Sequence, residues 1–238
     1  MRHRYGVGRL KDLLEGYTGG RPFAVVSDAF PGGHLPRPTL PAERLGAVDP
    51  TRRKELKRRR WLPIGALAEP ARWLDRALEL PEAELHPQSH NTINRATGTT
   101  GRGGFAPYTL TQRWYCPGTT LHCHVLIDPE RLTGEEIREL FADIGASGYG
   151  RDASTGLGRF DVESDGDRLS EISAAAGSWL TLAPCAPQSG GFDPAHSFYQ
   201  VVTRFGRHGA LAVHSGNPFK TPVLLAQTGA VLTPVQNS

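Results

Sequence analysis

The chain has few of the features that mark secreted or membrane proteins. It has three cysteines, Cys116, Cys123 and Cys185, too few for a complete disulfide set. Met1-Arg2-His3-Arg4 is followed by no apolar signal core, and no stretch approaches the length needed to cross a bilayer. The expected location is the cytoplasm. Nucleotide signatures are missing as well: there is no Gly-Lys-Ser/Thr, and Gly148-Tyr149-Gly150 lacks the next glycine of the dinucleotide fingerprint. No paired-carboxylate site for metal-dependent cleavage is evident. Cys116, His122, Cys123 and His124 lack the paired Cys-x-x-Cys-type spacing of a structural zinc site, and alternation along a strand would split them between two faces. The sequence therefore predicts no cofactor, no metal and no catalytic residue.

What is present begins with size and charge. The 238 residues, 38% of them hydrophobic, suffice for a proper core in one large or two small domains. A net charge of +3 conceals an asymmetry: residues 1–60 carry 14 Lys/Arg against 6 Asp/Glu, or +8, and the remainder, 13 against 18, is −5. The densest basic run is Arg52-Arg53-Lys54-Glu55-Leu56-Lys57-Arg58-Arg59-Arg60-Trp61. Phosphate binding there would release counterions and give salt-sensitive, sequence-independent affinity. A solvated helix face is the alternative reading of the same run.

The most informative segment is Gly145–Phe160. Gly148, Gly150, Gly156 and Gly158 surround a polar centre with Arg151, Ser154 and Thr155, and Arg159 follows. Glycines let a backbone approach a ligand and turn its N–H groups outward, and arginines and hydroxyls satisfy phosphate oxygens. Upstream, Thr133-Gly134-Glu135-Glu136 is a capping box, and Ile137, Leu140, Phe141 and Ile144 repeat at helical spacing until Gly145 ends the helix. Downstream, Phe160 and Val162 alternate with Asp161 and Glu163 as in a strand. A loop running from helix to strand is opposite in order to the glycine loops that cradle mononucleotides. A surface loop without a ligand is the alternative reading of its composition.

Elsewhere the pattern is mixed. A first helix carries Val7, Leu10, Leu13, Leu14 and Tyr17 on one side and closes at Gly19-Gly20; a strand follows at Pro22–Ser27, then a loop over Asp28–Pro41. A short helix starts at Pro70 with Trp73, Leu74, Ala77 and Leu78 as a buried stripe. His90–Phe105 is polar and cannot form core. Tyr108–Tyr115 and Thr120–Ile127 are strands flanking a turn at Pro117-Gly118. The second half is mainly β: Ser178–Leu182, Phe198–Arg207, Ala210–His214, Pro222–Ala226 and Ala230–Leu232. The class is α+β, and the first half reads as βαββαβ without its opening strand. That gap suggests an amino-terminal truncation or a misassigned start codon.

The loop Gly-Tyr-Gly-Arg-Asp-Ala-Ser-Thr-Gly-Leu-Gly-Arg-Phe, between helix and strand, resembles the glycine-rich loop of the RAMP superfamily of CRISPR proteins. Three further blocks occur in order with it: Ser27-Asp28-Ala29-Phe30-Pro31 with Leu35-Pro36-Arg37-Pro38, Asn91–Thr100, and Phe219-Lys220-Thr221-Pro222. Together, over residues 23 to 233, they are similar to the fourth-subunit family of the Csm complex, the type III-A interference machine. The family's usual first strand, and a helix with a Ser-Asp-Thr-like signature, do not appear ahead of Met1, and the chain ends soon after Gly229-Ala230-Val231.

The resemblance implies two fused ferredoxin-like (RRM-like) RAMP modules. The first, residues 1–165, lacks its opening strand and has basic and thumb-like insertions at about 34–110; the second, residues 166–238, is mainly β and degenerate. It implies a noncatalytic subunit holding the repeat-derived 5′ tag of the CRISPR RNA and docking on the large polymerase-like subunit and the first backbone subunit. Residues 90–105 match a thumb lying across the guide. There Arg95 and Arg102 would meet phosphates, Asn91, Asn94, Thr97, Thr99 and Thr100 sugars or base edges, and Phe105 a base. In the glycine loop the N–H groups of Gly148–Gly150 and Gly156–Gly158 would follow the tag backbone, with Arg151 and Arg159 on phosphates and Ser154 and Thr155 in short polar contacts. Tyr149 would stack on a base or pack on its own domain, and Lys220 is a further RNA contact. The two stretches would converge on one RNA strand. A repeat-cleaving RAMP endoribonuclease, with His90 as its candidate acid or base, is the enzyme alternative, and a protein adaptor the scaffold alternative.

Overall fold

The computed structural model describes residues 2–17, 19–41, 44, 51, 53–81, 83–101, 106–166, 169, 177–187, 191–206 and 219–235. Helices are α1 (Arg2–Leu14), α2 (Arg53–Arg58), α3 (Trp73–Arg76) and α4 (Gly134–Ser147). Strands in the first half are β1 (Ala24–Pro31), β2 (His34–Pro36), β3 (Trp61–Pro63), β4 (Glu84–His90), β5 (Tyr108–Trp114) and β6 (Leu121–Ile127). The second half adds β7 (Trp179–Leu180), β8 (Val201–Arg204), β9 (Val223–Ala226) and β10 (Val231–Leu232). Among the described residues they form five two-stranded antiparallel sheets: β1–β6, β2–β3, β4–β5, β7–β10 and β8–β9. No helix among them is long and apolar enough to cross a membrane.

The main core lies between the β1–β6 sheet and two helices on one of its faces. Leu13, Phe23, Ala24, Leu132 and Leu140 are buried together, with Tyr5, Val125, Ile127 and Ile137 packed against them. Each such leucine contributes about 1.5–3 kcal/mol of burial. Arg4 near the start of α1 meets Asp143 through two 3.0 Å hydrogen bonds and pairs with Glu139. Near the other end of α1, Arg131 donates to the Asp12 and Leu13 carbonyls at 2.6 and 2.9 Å. The helices therefore run in opposite directions. The expected apolar stripe on α1 holds only in part: the helix is kinked at Gly6, at φ 76°, Leu13 is buried and Leu10 half-buried, and Val7, Leu14 and Tyr17 stay 48%, 47% and 46% exposed.

α4 carries the predicted capping box, with Glu136 N–H donating to Thr133 Oγ1 at 3.2 Å and Thr133 N–H to Glu136 Oε2 at 2.8 Å. The Thr133 N–H holds the Glu136 carboxyl below the usual range. The helix does not stop at Gly145. It continues to Ser147, and Gly145 is buried inside it, where a β-carbon would lie 2.2 Å from the Phe160 carbonyl oxygen.

The strands expected on either side of a turn at Pro117-Gly118 are present as β5 and β6, and they join different sheets: β1 pairs with β6, and β4 with β5 from Glu84↔Trp114 to His90↔Tyr108. Two other expectations change. The loop placed over Asp28–Pro41 begins as a continuation of β1 and contains β2, the two joined by a turn at Gly32-Gly33. Phe160–Glu163 is not a strand: among the described residues no strand lies on the outer edge of β6, so this alternating segment has no ladder to join.

Among its described residues the second half contains β7–β10 and no helix; the expected strand at Ala210–His214 lies outside the described residues. The second half is stitched to the first through a bulge in β1 between Val26 and Ala29. The bulge leaves Ser27 Oγ to accept the His124 N–H at 2.8 Å and sends the Asp28 N–H to the Leu182 carbonyl, also at 2.8 Å. Thr228 donates its hydroxyl to the Asp28 carboxylate, and Thr39 N–H bonds the carbonyl of buried Gly229 at 2.8 Å.

Candidate nucleic-acid interface

The glycine loop leaves α4 and folds back on itself. Tyr149 N–H donates to the Gly158 carbonyl at 2.8 Å, Gly156 N–H to Ala153 at 3.0 Å and Leu157 N–H to Asp152 at 3.4 Å. Thr155 also turns inward, with N–H and hydroxyl both on the Asp152 carbonyl at 3.0 and 2.8 Å. Two glycines make this closure possible. A β-carbon at Gly148 would lie 2.4 Å from the Leu157 oxygen and one at Gly158 2.0 Å from the Tyr149 oxygen, and both residues have φ in the left-handed region, 91° and 71°. Gly150 and Gly156 face open space and need glycine for φ alone.

Gly148 N–H donates to the Ile144 carbonyl at 2.8 Å, so the N–H groups of Gly148 and Gly156, with those of Tyr149 and Leu157, are engaged within the chain. Those of Gly150, Arg151, Gly158 and Arg159 make no main-chain hydrogen bond among the described residues. Around them the loop presents Tyr149, 77% exposed, exposed Ser154 and Arg159, and Arg151, whose Nε lies 3.8 Å from Asp152 Oδ1. Tyr149 is not packed on its own domain. The loop thus carries N–H donors, two exposed guanidinium groups and an exposed aromatic ring within residues 149–159, a set suited to phosphates and an unpaired base.

The polar segment is the tip of the β4–β5 hairpin. Asn94 N–H donates to the Thr99 carbonyl at 3.0 Å, Gly98 N–H to Asn94 at 2.8 Å, and the Asn94 side chain accepts the Ala96 N–H at 2.9 Å. Thr97 and Thr99 share a hydroxyl–hydroxyl bond of 3.0 Å. Those three residues hold the turn, and Asn91, Arg95 and Thr100 are exposed beside it. Arg102 and Phe105 lie outside the described residues. Lys220 is exposed, tied by its N–H to the Gly206 carbonyl at 2.8 Å. Within each stretch the predicted residues come together. No hydrogen bond or ion pair joins the hairpin tip, the glycine loop and Lys220 to one another among the described residues.

In the basic run, buried Leu56 anchors α2, and half-buried Arg37 donates to the Leu56 carbonyl at 2.8 Å. Burial pushes the Arg37 guanidinium pKa down. Arg59 pairs with Glu55, and Lys54, Lys57 and Arg58 are exposed. Cys123 donates its thiol to the Ser27 carbonyl at 3.4 Å, and burial pushes that thiol's pKa up. His122 accepts the Gly33 N–H at Nδ1, 3.2 Å away. No group of three or more metal-ligating side chains occurs among the described residues.

Sequence reasoning missed one cluster, on the hairpin itself. His90 stacks on Tyr108 with ring centroids 5.3 Å apart, and His86 leans on Trp114 at 5.1 Å. The alternation His86-x-Gln88-x-His90 was the available signal, but nothing in it marked a strand.

No protein-family model matches the sequence, and neither does any curated relative. Solved structures do. A chain of the Csm1-Csm4 cassette in complex with cA4 matches with TM-score 0.56 at 13% identity, covering 98% of this chain and 75% of that one. The Csm1-Csm4 cassette in complex with AMPPNP gives 0.53 at 15% identity, covering 98% and 76%. This chain has the fold found in the Csm1-Csm4 cassette. At the level of fold, the resemblance read from the four ordered sequence blocks is borne out. The shared fold is a mixture of helices and small antiparallel sheets.

Proposed function

We propose that this chain is the noncatalytic guide-RNA-binding subunit of a type III-A CRISPR ribonucleoprotein, acting in cytoplasmic antiviral defence. In this reading residues 1–165 and 166–238 are two ferredoxin-like RAMP modules, the first without its opening strand. The chain holds the repeat-derived 5′ tag of the CRISPR RNA and bridges the large polymerase-like subunit and the first backbone subunit. The neighbours' assembly as a cassette supports the large-subunit contact by analogy.

The observation that carries the reading is the glycine loop, in which the N–H groups of Gly150 and Gly158 make no main-chain hydrogen bond among the described residues and Arg151, Ser154, Arg159 and the Tyr149 ring, 77% exposed, are open to solvent. The glycine loop and the hairpin grip one RNA strand by its ribose-phosphate chain, with Lys220 as a further contact. Arg151 and Arg159 each neutralise one phosphate.

Titrating tag-containing RNA against salt tests this. Arg151→Ala and Arg159→Ala weaken binding and each lowers the salt slope by about one unit. Unchanged affinity and slope in both variants would remove the loop from the RNA path. Cognate repeat RNA incubated with the wild-type protein stays intact; specific cut products would replace this reading with the endoribonuclease one. Small guide RNAs copurify from the host, whereas a pure adaptor would emerge free of them.

A further inference from the structure

Among the described residues, no helix or strand packs extensively on the β4–β5 hairpin. Its strands make extensive contact with each other alone among the described elements, and every residue of β4 except His90 is exposed. In the antiparallel register Glu84, His86, Gln88 and His90 lie opposite Trp114, Gln112, Leu110 and Tyr108, so these eight side chains share one face. On it Tyr108 is 50% and Trp114 56% exposed, each braced by an imidazole. Trp114 Nε1 donates to Gln112 Oε1 at 3.1 Å, and His86 Nε2 meets Glu84 Oε2 at 3.0 Å. The rings are thereby oriented in advance.

Charge decides what such a face meets. The face itself carries one carboxylate, Glu84, bonded to His86 Nε2; beyond it, from Leu85 to Ile127, the sequence contains no Asp or Glu, and Arg95 at the tip, Arg102, and Arg113 on the other face of the stem fall within that span. A stretch of 43 residues without a carboxylate suits a polyanion. The rest of the face suits bases better than a protein surface: Gln88 and Gln112 offer donors and acceptors between the rings, and the lone aliphatic side chain, Leu110, is half-buried. Six strand steps separate the rings of Tyr108 and Trp114, about 20 Å at 3.3 Å per residue. That is about six times the 3.4 Å stacking step, too far for neighbouring stacked bases to occupy both ends. Splayed bases of a single strand fit it.

We propose that Tyr108 with His90, and Trp114 with His86, form two stacking stations for unpaired bases of one RNA strand running along the hairpin stem. The inference rests on the RNA-binding reading above and adds a second, uncharged mode of contact to it. Aromatic stacking leaves the phosphates and their counterions alone, so its loss lowers affinity without changing the salt slope.

The test uses the full chain and a labelled, unstructured single-stranded RNA, titrated by fluorescence anisotropy at several salt concentrations. Tyr108→Ala and Trp114→Ala each weaken binding on the order of tenfold with the slope unchanged, and Tyr108→Phe and Trp114→Phe retain affinity. RNA abasic over the whole strand binds wild type and both alanine variants equally. If the alanine variants keep wild-type affinity for intact RNA while Arg159→Ala loses it, the stacking stations are wrong and the RNA-binding reading survives. If the wild type binds no RNA at all, both fall. Alanine variants that keep RNA affinity but no longer join the large subunit would make the face a protein-docking surface and overturn the proposal.

Discussion

The glycine loop and the hairpin tip look alike as sequence, both rich in glycine, hydroxyls and arginine, and they fold in opposite ways. Residues 148–158 close on themselves, with Gly148 and Gly158 lying against backbone oxygens. Residues 91–101 close only a small turn at Asn94–Thr99, at the end of a ribbon on which no described helix or second sheet packs extensively. In the loop a glycine serves the fold as well as the surface. In the hairpin the exposed face has no share in the core. Substitutions should therefore affect stability in the first region and binding alone in the second.

The largest expected effect comes from Gly158→Ala. A β-carbon 2.0 Å from the Tyr149 oxygen, at φ 71°, forces the two arms apart. About 3 kcal/mol of stability should be lost, read as a lower urea midpoint at constant m. Gly150→Ala meets open space and pays for φ alone, about 1 kcal/mol. Equal losses at the two sites would show that self-closure is not what Gly158 is for.

Next in size is the cap that launches the helix feeding the loop. Thr133→Ala removes the hydroxyl that accepts the Glu136 N–H and should cost about 1 kcal/mol, without changing RNA salt dependence. The cap also gives an acid signature. Hydrogen bonds from the Thr133 N–H and hydroxyl depress the folded-state pKa of Glu136. Its contribution is complete above the ordinary glutamate value of about 4.3 and is lost as pH falls through the lower folded value. Glu136→Gln removes that titration, so its melting temperature should fall less steeply on acidification than the wild type's. Parallel acid limbs would mean that the capping carboxylate is not responsible.

Much of the fold was legible because its signals are local. The capping box at Thr133–Glu136, the β-prone run leading into β1 and the strands β5 and β6 can be read from neighbours in the chain, whereas the stripe after Pro70 was right only in part: α3 ends at Arg76, Ala77 is buried beyond it and Leu78 is 39% exposed, paired with Trp61 through the main chain. β4 was not legible. Glu84-Leu85-His86-Pro87-Gln88-Ser89-His90 has no β-branched residue and one proline, and it is a strand because β5 pairs with it. Phe160–Glu163 is the reverse case, a good strand pattern without a partner. For the site, composition identified the loop but not what its glycines approach. Gly148 and Gly158 approach the chain's own carbonyls, and no spacing rule separates that from approach to a phosphate. The rings of Tyr108 and Trp114 escaped notice because their meaning depends on His90 and His86 across a register the sequence does not reveal.

The smallest stability effect is expected where the sequence change is greatest. Replacing residues 91–107 by Asn-Gly would join His90 directly to Tyr108, the terminal pair of the ladder, through a two-residue type I′ turn. The described part of the removed tip makes its hydrogen bonds within itself, so unfolding free energy should change by no more than about 0.5 kcal/mol. RNA affinity should nevertheless fall, and the salt slope with it, because Arg95 and Arg102 leave together. A loss above about 1 kcal/mol would mean that the tip packs on the body of the molecule. Unchanged stability with an unchanged salt slope would confine RNA binding to the glycine loop and the hairpin stem, and the two regions would then differ in function as they do in fold.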